Sequence, residues 1–219
     1  MPTITSRLLS IQETIPKEVC LVAVSKTKPV ESILEAYHAG QRVFGENKVQ
    51  EMVEKQAVLP KDISWHMIGH LQRNKVKYMA PFVSLIHGVD SLKTLQEIQK
   101  QAKKNNRVID CLLQVHIASE AHKFGFSFEE IHELLANPIL QELDCVRITG
   151  LMGMATFTDD TTQISKEFSA LQQLFEAVKS KTLHIISMGM SSDYPLAITH
   201  GSTMVRVGSA IFGKRNYKQ

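Results

Sequence analysis

A lysine at the end of the first apolar run is the residue best placed for covalent chemistry. Lys26 lies in the segment V-A-V-S-K-T-K-P, residues 22–29, just before a turn. Apolar walls around such a lysine lower the pKa of its amine, and the neutral amine can attack a carbonyl carbon. The alternative is an ordinary lysine at a strand end, whose ammonium extends into water.

A second segment, S-M-G-M-S-S-D at residues 187–193, has the small residues that let backbone N–H groups approach an anion. It lies where a strand is expected to end and a helix to begin. The alternative is a plain turn in which Ser191 or Ser192 caps the next helix.

A third segment, G-S-T-M-V-R-V-G-S-A-I-F-G at residues 201–213, places one arginine inside an apolar run. Arg206 needs a polar partner if it is buried. Gly208 and Ser209 follow the run and form a second candidate phosphate cradle. The alternative is a structural arginine–carboxylate pair.

Two further segments carry polar residues at strand ends, F-G-E-N at 44–47 and H-M-I-G-H-L-Q-R-N-K at 66–75. Asn47 and His66 are candidates for the same site. His66 and His70 are four residues apart, but Gly69 and the strand context argue against a helical metal-ligand pair. The run H-E-L-L-A at 132–136 lacks the second histidine of a zinc motif, so we expect no metal site.

Short β-rich runs alternate with amphipathic patterns along the chain. The candidate strands are 21–25, 42–45, 65–69, 84–88, 109–117, 147–152, 183–188 and 204–208. The candidate helices are 4–13, 30–39, 91–104, 127–136 and 165–178. The helix at 127 begins with S-F-E-E, the sequence of a capping box.

This alternation predicts an α/β fold, a single (β/α)8 TIM barrel with an extra N-terminal helix, in one domain over residues 1–219. A doubly wound sheet is the alternative, but the chain has no G-x-G-x-x-G. Barrel enzymes carry their sites at the C-terminal ends of the strands, and the polar candidates fall there repeatedly.

Composition excludes several classes of protein. The net charge is +3 and the basic residues are scattered, which argues against nucleic acid as a partner. The three cysteines are widely spaced, without C-x-x-C, which indicates reduced thiols. The chain shows neither a signal peptide nor an apolar run long enough for a membrane span. We therefore expect a cytoplasmic protein with no membrane partner.

Taken together, the motifs A-V-S-K-T-K-P, F-G-E-N, W-H-M-I-G-H-L-Q-R-N-K, S-M-G-M-S and G-S-T-M-V-R-V-G-S-A-I-F-G resemble the pyridoxal phosphate (PLP) homeostasis protein family. The resemblance extends from about residue 21 to residue 213. It implies the barrel of the alanine racemase N-terminal domain and PLP as cofactor.

The resemblance also assigns the site residues. Lys26 matches the lysine that forms a Schiff base with PLP, and Arg206 matches the arginine that faces the pyridine nitrogen. Asn47 and His66 match residues near the cofactor. The phosphate-binding positions match Ser191, Gly208 and Ser209, with Met190 adjoining.

The family implies a carrier, buffer or regulator of PLP with effects on amino-acid and keto-acid balance. Amino acids and apo PLP-dependent enzymes are the further partners, and we expect a monomer. The alternatives are a PLP-dependent racemase or lyase acting on small amino acids, and an aldolase-like barrel that uses Lys26 without PLP. The carrier is favoured because the chain lacks the C-terminal β-domain from which alanine racemases supply a tyrosine base.

Two positions depart from the family pattern. Ser209 stands where many relatives have threonine, and it keeps the hydroxyl and the backbone N–H. His116 occupies a position that is often asparagine, so its role stays open.

Overall fold

The β-strands close into a barrel in which each strand pairs in parallel with its neighbours in the chain. A computed structural model describes residues 2–120 and 124–213. The strands are β1 Cys20–Val24, β2 Val43–Glu46, β3 Ser64–Met67, β4 Leu85–Val89, β5 Ile109–Val115, β6 Val146–Gly153, β7 Ile185–Ser187 and β8 Met204–Val207. Pairing of β8 with β1 closes the barrel and confirms the predicted (β/α)8 fold.

Helices connect successive strands and cover the outside of the barrel. They are α1 Ile4–Thr14, α2 Val30–His38, α3 Val49–Val58, α4 Val76–Met79, α5 Leu92–Lys104, α6 Phe128–Ala136, α7 Thr161–Val178, α8 Tyr194–Thr199 and α9 Ser209–Phe212. Helix α1 precedes β1, as the sequence predicts. No helix in the described part of the chain is long and apolar enough to cross a membrane.

The apolar side chains form two cores because alternate residues of a strand face opposite sides of the sheet. Outward-facing residues pack against the helices, as Phe44 and Trp65 do. Inward-facing residues form a smaller cluster inside the barrel, which includes Val22 on β1 and Met204 on β8. Arg206 lies on β8 two residues after Met204, and Lys26 lies in the turn two residues after β1 ends.

The capping box at the start of α6 is present as predicted. Ser127 Oγ accepts a hydrogen bond from the N–H of Glu130 at 3.1 Å, and a carboxylate oxygen of Glu130 accepts one from the N–H of Ser127 at 2.7 Å. Each bond pairs a backbone donor that the helix itself leaves without a partner.

Replacing Ser127 with alanine should lower the free energy of unfolding by about 1 kcal/mol, because one N-terminal donor of α6 loses its acceptor. Urea unfolding followed by circular dichroism measures the change. Ser10→Ala on the exposed face of α1 is the matched control and should cost no stability, since alanine is the better helix former there. Equal urea midpoints for Ser127→Ala and the parent would show that the cap contributes nothing.

Candidate functional site

A cavity of about 640 Å³ opens at the C-terminal ends of the strands. This is the usual end for a ligand site in such a barrel, and the volume lies in the usual range for small-molecule sites. Seven of the eight binding residues expected from the sequence line it, and the eighth, His66, does not. The seven are Lys26, Asn47, Met190, Ser191, Arg206, Gly208 and Ser209.

Lys26 follows β1 and enters the cavity from a turn that is held on both sides. The Ser25 N–H donates to the carbonyl of Gly45 on β2 at 3.0 Å. Thr27 has a φ of 64°, which is unusual for a β-branched residue, and its N–H donates to Glu51 Oε1 at 2.5 Å. These bonds fix the backbone on either side of Lys26, which borders the cavity.

A buried charge network supports this turn from the outside of the barrel. Lys55 Nζ donates to the carbonyl of Ser25 at 2.8 Å, to Glu46 Oε1 at 2.7 Å and to Glu51 Oε1 at 2.7 Å. Ser25 Oγ donates to the same oxygen of Glu46 at 2.6 Å. Burial raises the pKa of Glu46, although Lys55 and Ser25 act in the opposite direction. The only sequence signal for this network is the Glu51–Lys55 spacing on α3.

Arg206 is only 4% exposed, yet it borders the cavity. Its Nη1 donates to the carbonyl of Ser187 at 2.9 Å and to Ser187 Oγ at 2.6 Å, and its Nη2 donates to the carbonyl of Gly153 at 3.0 Å. Among the described residues its hydrogen-bond partners are two carbonyls and a hydroxyl, so the alternative of an arginine–carboxylate pair is wrong for this part of the chain. Burial lowers the pKa of Arg206 to about 10 while Asp193 opposes this shift, so the guanidinium remains charged at neutral pH.

The turn after β7 brings Ser191 against the start of α9. Ser191 Oγ accepts hydrogen bonds from the N–H of Gly208 at 3.0 Å and of Ala210 at 3.4 Å. Ser191 therefore does not cap the helix that follows it, since Asp193 is the N-cap residue of α8. Ser191 Oγ thus occupies two converging backbone N–H groups at one wall of the cavity, and a phosphate oxygen that displaced it would accept the same two hydrogen bonds.

Two glycines and an aspartate give this wall its shape. Gly189 has a φ of +96°, and a Cβ there would lie 2.6 Å from Cβ of Ala197. A Cβ on Gly208 would lie 3.2 Å from Cβ of Val24, so glycine lets this backbone sit close to β1. Asp193 Oδ1 accepts from the N–H of Met190 at 2.5 Å and holds the turn in place.

The histidines at strands β3 and β4 lie outside the cavity walls. His66 is buried within the barrel, where its Nδ1 lies 3.1 Å from His87 Nε2, and burial lowers its pKa to about 3. His70 pairs with Asp90 at 3.2 Å and its ring stacks on Phe124. Within residues 2–120 and 124–213, no three His, Cys, Asp or Glu side chains are placed to hold a metal ion.

His116 does not line this cavity either, and its Nε2 lies 3.0 Å from the carbonyl oxygen of Glu120. Sequence reasoning missed Phe157, which borders the cavity although it is 91% exposed. Its loop is held by the preceding residue, Thr156, whose N–H and hydroxyl both donate to Glu167, at 2.7 and 2.6 Å. No strand or motif signals a residue in such a loop.

Comparison with known proteins gives consistent results across sequence and structure. The family described as "Alanine racemase, N-terminal domain" matches residues 2–216. A pyridoxal phosphate homeostasis protein of Aquifex aeolicus is 40% identical over 201 residues, which cover 90% of this chain and 87% of that protein.

The structures of PipY from Synechococcus elongatus PCC7942 are similar throughout, at 37% identity, covering 96% of this chain and 100% of PipY. The TM-score is 0.90 for PipY without PLP and 0.87 for PipY with PLP bound.

Proposed function

This chain belongs to the pyridoxal phosphate homeostasis proteins of the alanine racemase N-terminal domain family, and on that premise we propose that it holds PLP as a Schiff base on Lys26 and acts in cytoplasmic PLP homeostasis. Its role is to carry, buffer or regulate the cofactor. Amino acids and apo PLP-dependent enzymes are its further partners.

One observation carries the proposal: an amine, a buried guanidinium and the candidate phosphate-binding residues border the same cavity. The amine of Lys26 can form a C=N bond to an aldehyde carbon, with loss of water. Ser191 and Ser209 offer hydroxyl donors to the phosphate, and the N–H of Gly208 becomes a further donor once it is released from Ser191 Oγ. Arg206 offers its remaining N–H groups to a ring nitrogen.

Bound PLP supplies an electron sink, and the partner of its ring nitrogen sets how strong that sink is. Arg206 can only donate a hydrogen bond, because a guanidinium has no acceptor. It therefore leaves the pyridine largely unprotonated and the electron sink weak. That chemistry suits storage and transfer of the cofactor better than rapid removal of a Cα proton.

Bases are also scarce around the cavity. Among the described residues that line it, the side chains able to accept a proton are Lys26 and Lys28. Lys28 Nζ donates to the carbonyls of Phe212 and Gly213 at 3.1 and 3.0 Å, so it is held at the edge of the cavity by these two bonds. The tyrosines at 37, 78 and 194 do not line the cavity, and Tyr217 lies outside the described residues.

We therefore expect slow Cα proton exchange when the PLP-loaded protein is incubated with L-alanine in D₂O. The rate should lie well below ordinary turnover numbers, which are on the order of 1–10³ s⁻¹. Proton NMR of the alanine Cα signal measures it. A rate within that range would favour the alternative, a PLP-dependent racemase or lyase.

The homeostatic role is tested by transfer of PLP to an apo-enzyme. The loaded protein and an equal amount of free PLP are each added to an apo-transaminase, with and without a phosphatase that destroys free PLP. The proposal predicts that the loaded protein still restores transaminase activity when the phosphatase is present. Equal loss of activity from both sources would contradict a carrier role.

A further inference from the structure

A column of polar side chains runs through the barrel interior below the cavity and ends on Arg206. Ser187 Oγ accepts from Arg206 Nη1 at 2.6 Å and lies 3.3 Å from His87 Nδ1. His87 Nε2 lies 3.1 Å from His66 Nδ1, and His66 Nε2 lies 3.4 Å from Ser64 Oγ. Ser187, His87 and His66 are buried, so each of their polar groups depends on the next for a partner.

The chemistry of these groups gives the column a direction. Arg206 has only donors, so the Ser187 oxygen must accept from it. The hydroxyl hydrogen of Ser187 then needs an acceptor, and among the described residues the atom placed to accept it is His87 Nδ1. If His87 Nδ1 carried a hydrogen instead, the buried hydroxyl hydrogen of Ser187 would lack an acceptor among the described residues. Leaving a buried donor without an acceptor is costly in free energy.

The donor–acceptor order at His87 also fixes the order at His66. With His87 Nδ1 accepting, the ring hydrogen of His87 must be on Nε2, and it donates to His66 Nδ1. The hydrogen of His66 is then on Nε2 and faces Ser64. Both rings are thus neutral and share the same tautomer.

A proton added to either ring would disrupt this arrangement. It would leave two N–H groups facing each other across 3.1 Å or place a cation next to the Arg206 guanidinium. Burial lowers the pKa of His66 to about 3 and that of His87 well below its ordinary value, and Arg206 lowers the latter further. Two neutral histidine rings are therefore consistent with the positive charge of the neighbouring Arg206.

We propose that Ser187, His87 and His66 are positioning residues for Arg206, joined in a one-way hydrogen-bond column in which both histidines are neutral Nε2–H tautomers. The column fixes one edge of the guanidinium, and the carbonyls of Ser187 and Gly153 orient its plane. The remaining donors are then held toward the cavity. The effect on cofactor retention rests on the proposed function, whereas the column itself does not.

The tautomers can be read directly in the apo-protein by NMR with ¹⁵N-labelled histidine. His66→Gln and His87→Gln variants assign the two sets of signals. Both rings should show a protonated Nε2 and an unprotonated Nδ1 at neutral pH. A protonated Nδ1 on either ring would overturn the column, whether or not the protein binds PLP.

The positioning role is tested by a double-mutant cycle on PLP dissociation. Ser187→Ala should weaken PLP binding about 3- to 10-fold in the parent, and it should have almost no effect in an Arg206→Ala background, because the column acts through Arg206. A Ser187→Ala effect of the same size in both backgrounds would overturn the positioning role. The NMR measurement of the tautomers does not use Ser187→Ala, so it tests the column even if that variant is unstable.

Discussion

Lys26→Ala should abolish the visible absorption band of the protein loaded with PLP. The band arises from the Schiff base, and alanine has no amine to form it. Weak noncovalent binding through the phosphate cradle should remain, so the variant retains some PLP that absorbs like the free aldehyde. The measurement is the absorption spectrum after excess PLP has been removed by gel filtration.

Lys28→Ala is the matched control for this experiment. Lys28 borders the same cavity, but its amine donates to the carbonyls of Phe212 and Gly213. Its replacement should therefore leave the visible band in place. A Lys26→Ala protein that keeps the band, or a Lys28→Ala protein that loses it, would contradict the assignment. A parent protein with no band under any loading condition would favour an aldolase-like use of Lys26.

Arg206→Ala should weaken PLP binding by about 1.5–3 kcal/mol, which corresponds to about a 10- to 150-fold rise in Kd. The substitution removes a charge-assisted hydrogen bond and opens a gap beside the ring. Equilibrium dialysis against PLP measures the change. The carbonyls of Ser187 and Gly153 also lose their partner, so the unfolding of the apo-protein must be measured alongside.

Arg206→Lys separates charge from geometry at this position. Lysine keeps the positive charge but lacks the planar fork that satisfies Ser187 and Gly153 together. Its Kd should therefore fall between those of the parent and Arg206→Ala. An Arg206→Ala protein that binds PLP as tightly as the parent would show that the guanidinium does not contact the cofactor.

The strands and the mouth of the barrel could be predicted because their signals are local. Each strand is a short apolar run, and its observed bounds lie within two residues of those expected from the sequence. Lys26 and Arg206 could be singled out because each is a charged residue in or at the end of such a run. Closure of the barrel then brings the two strands side by side, with Val22 opposite Arg206.

Other features depend on contacts that no local pattern reveals. Helix α3 was not predicted, and its N-cap residue Lys48 makes no side-chain capping bond that would mark its start. The contact of Lys55 with Glu46 joins the outer face of β2 to a helix, and the contact of His66 with His87 joins two strands inside the barrel. Both depend on which face of a strand each residue occupies once the barrel has closed.

The most direct test of the central claim is borohydride reduction of the PLP-loaded protein followed by peptide mapping with mass spectrometry. Reduction converts the C=N bond into a stable secondary amine and so fixes the cofactor where it was attached. We predict that the label is found on the peptide that contains Lys26, at that residue. A label on Lys28 or Lys75 instead would contradict the assignment of Lys26 as the residue that holds PLP.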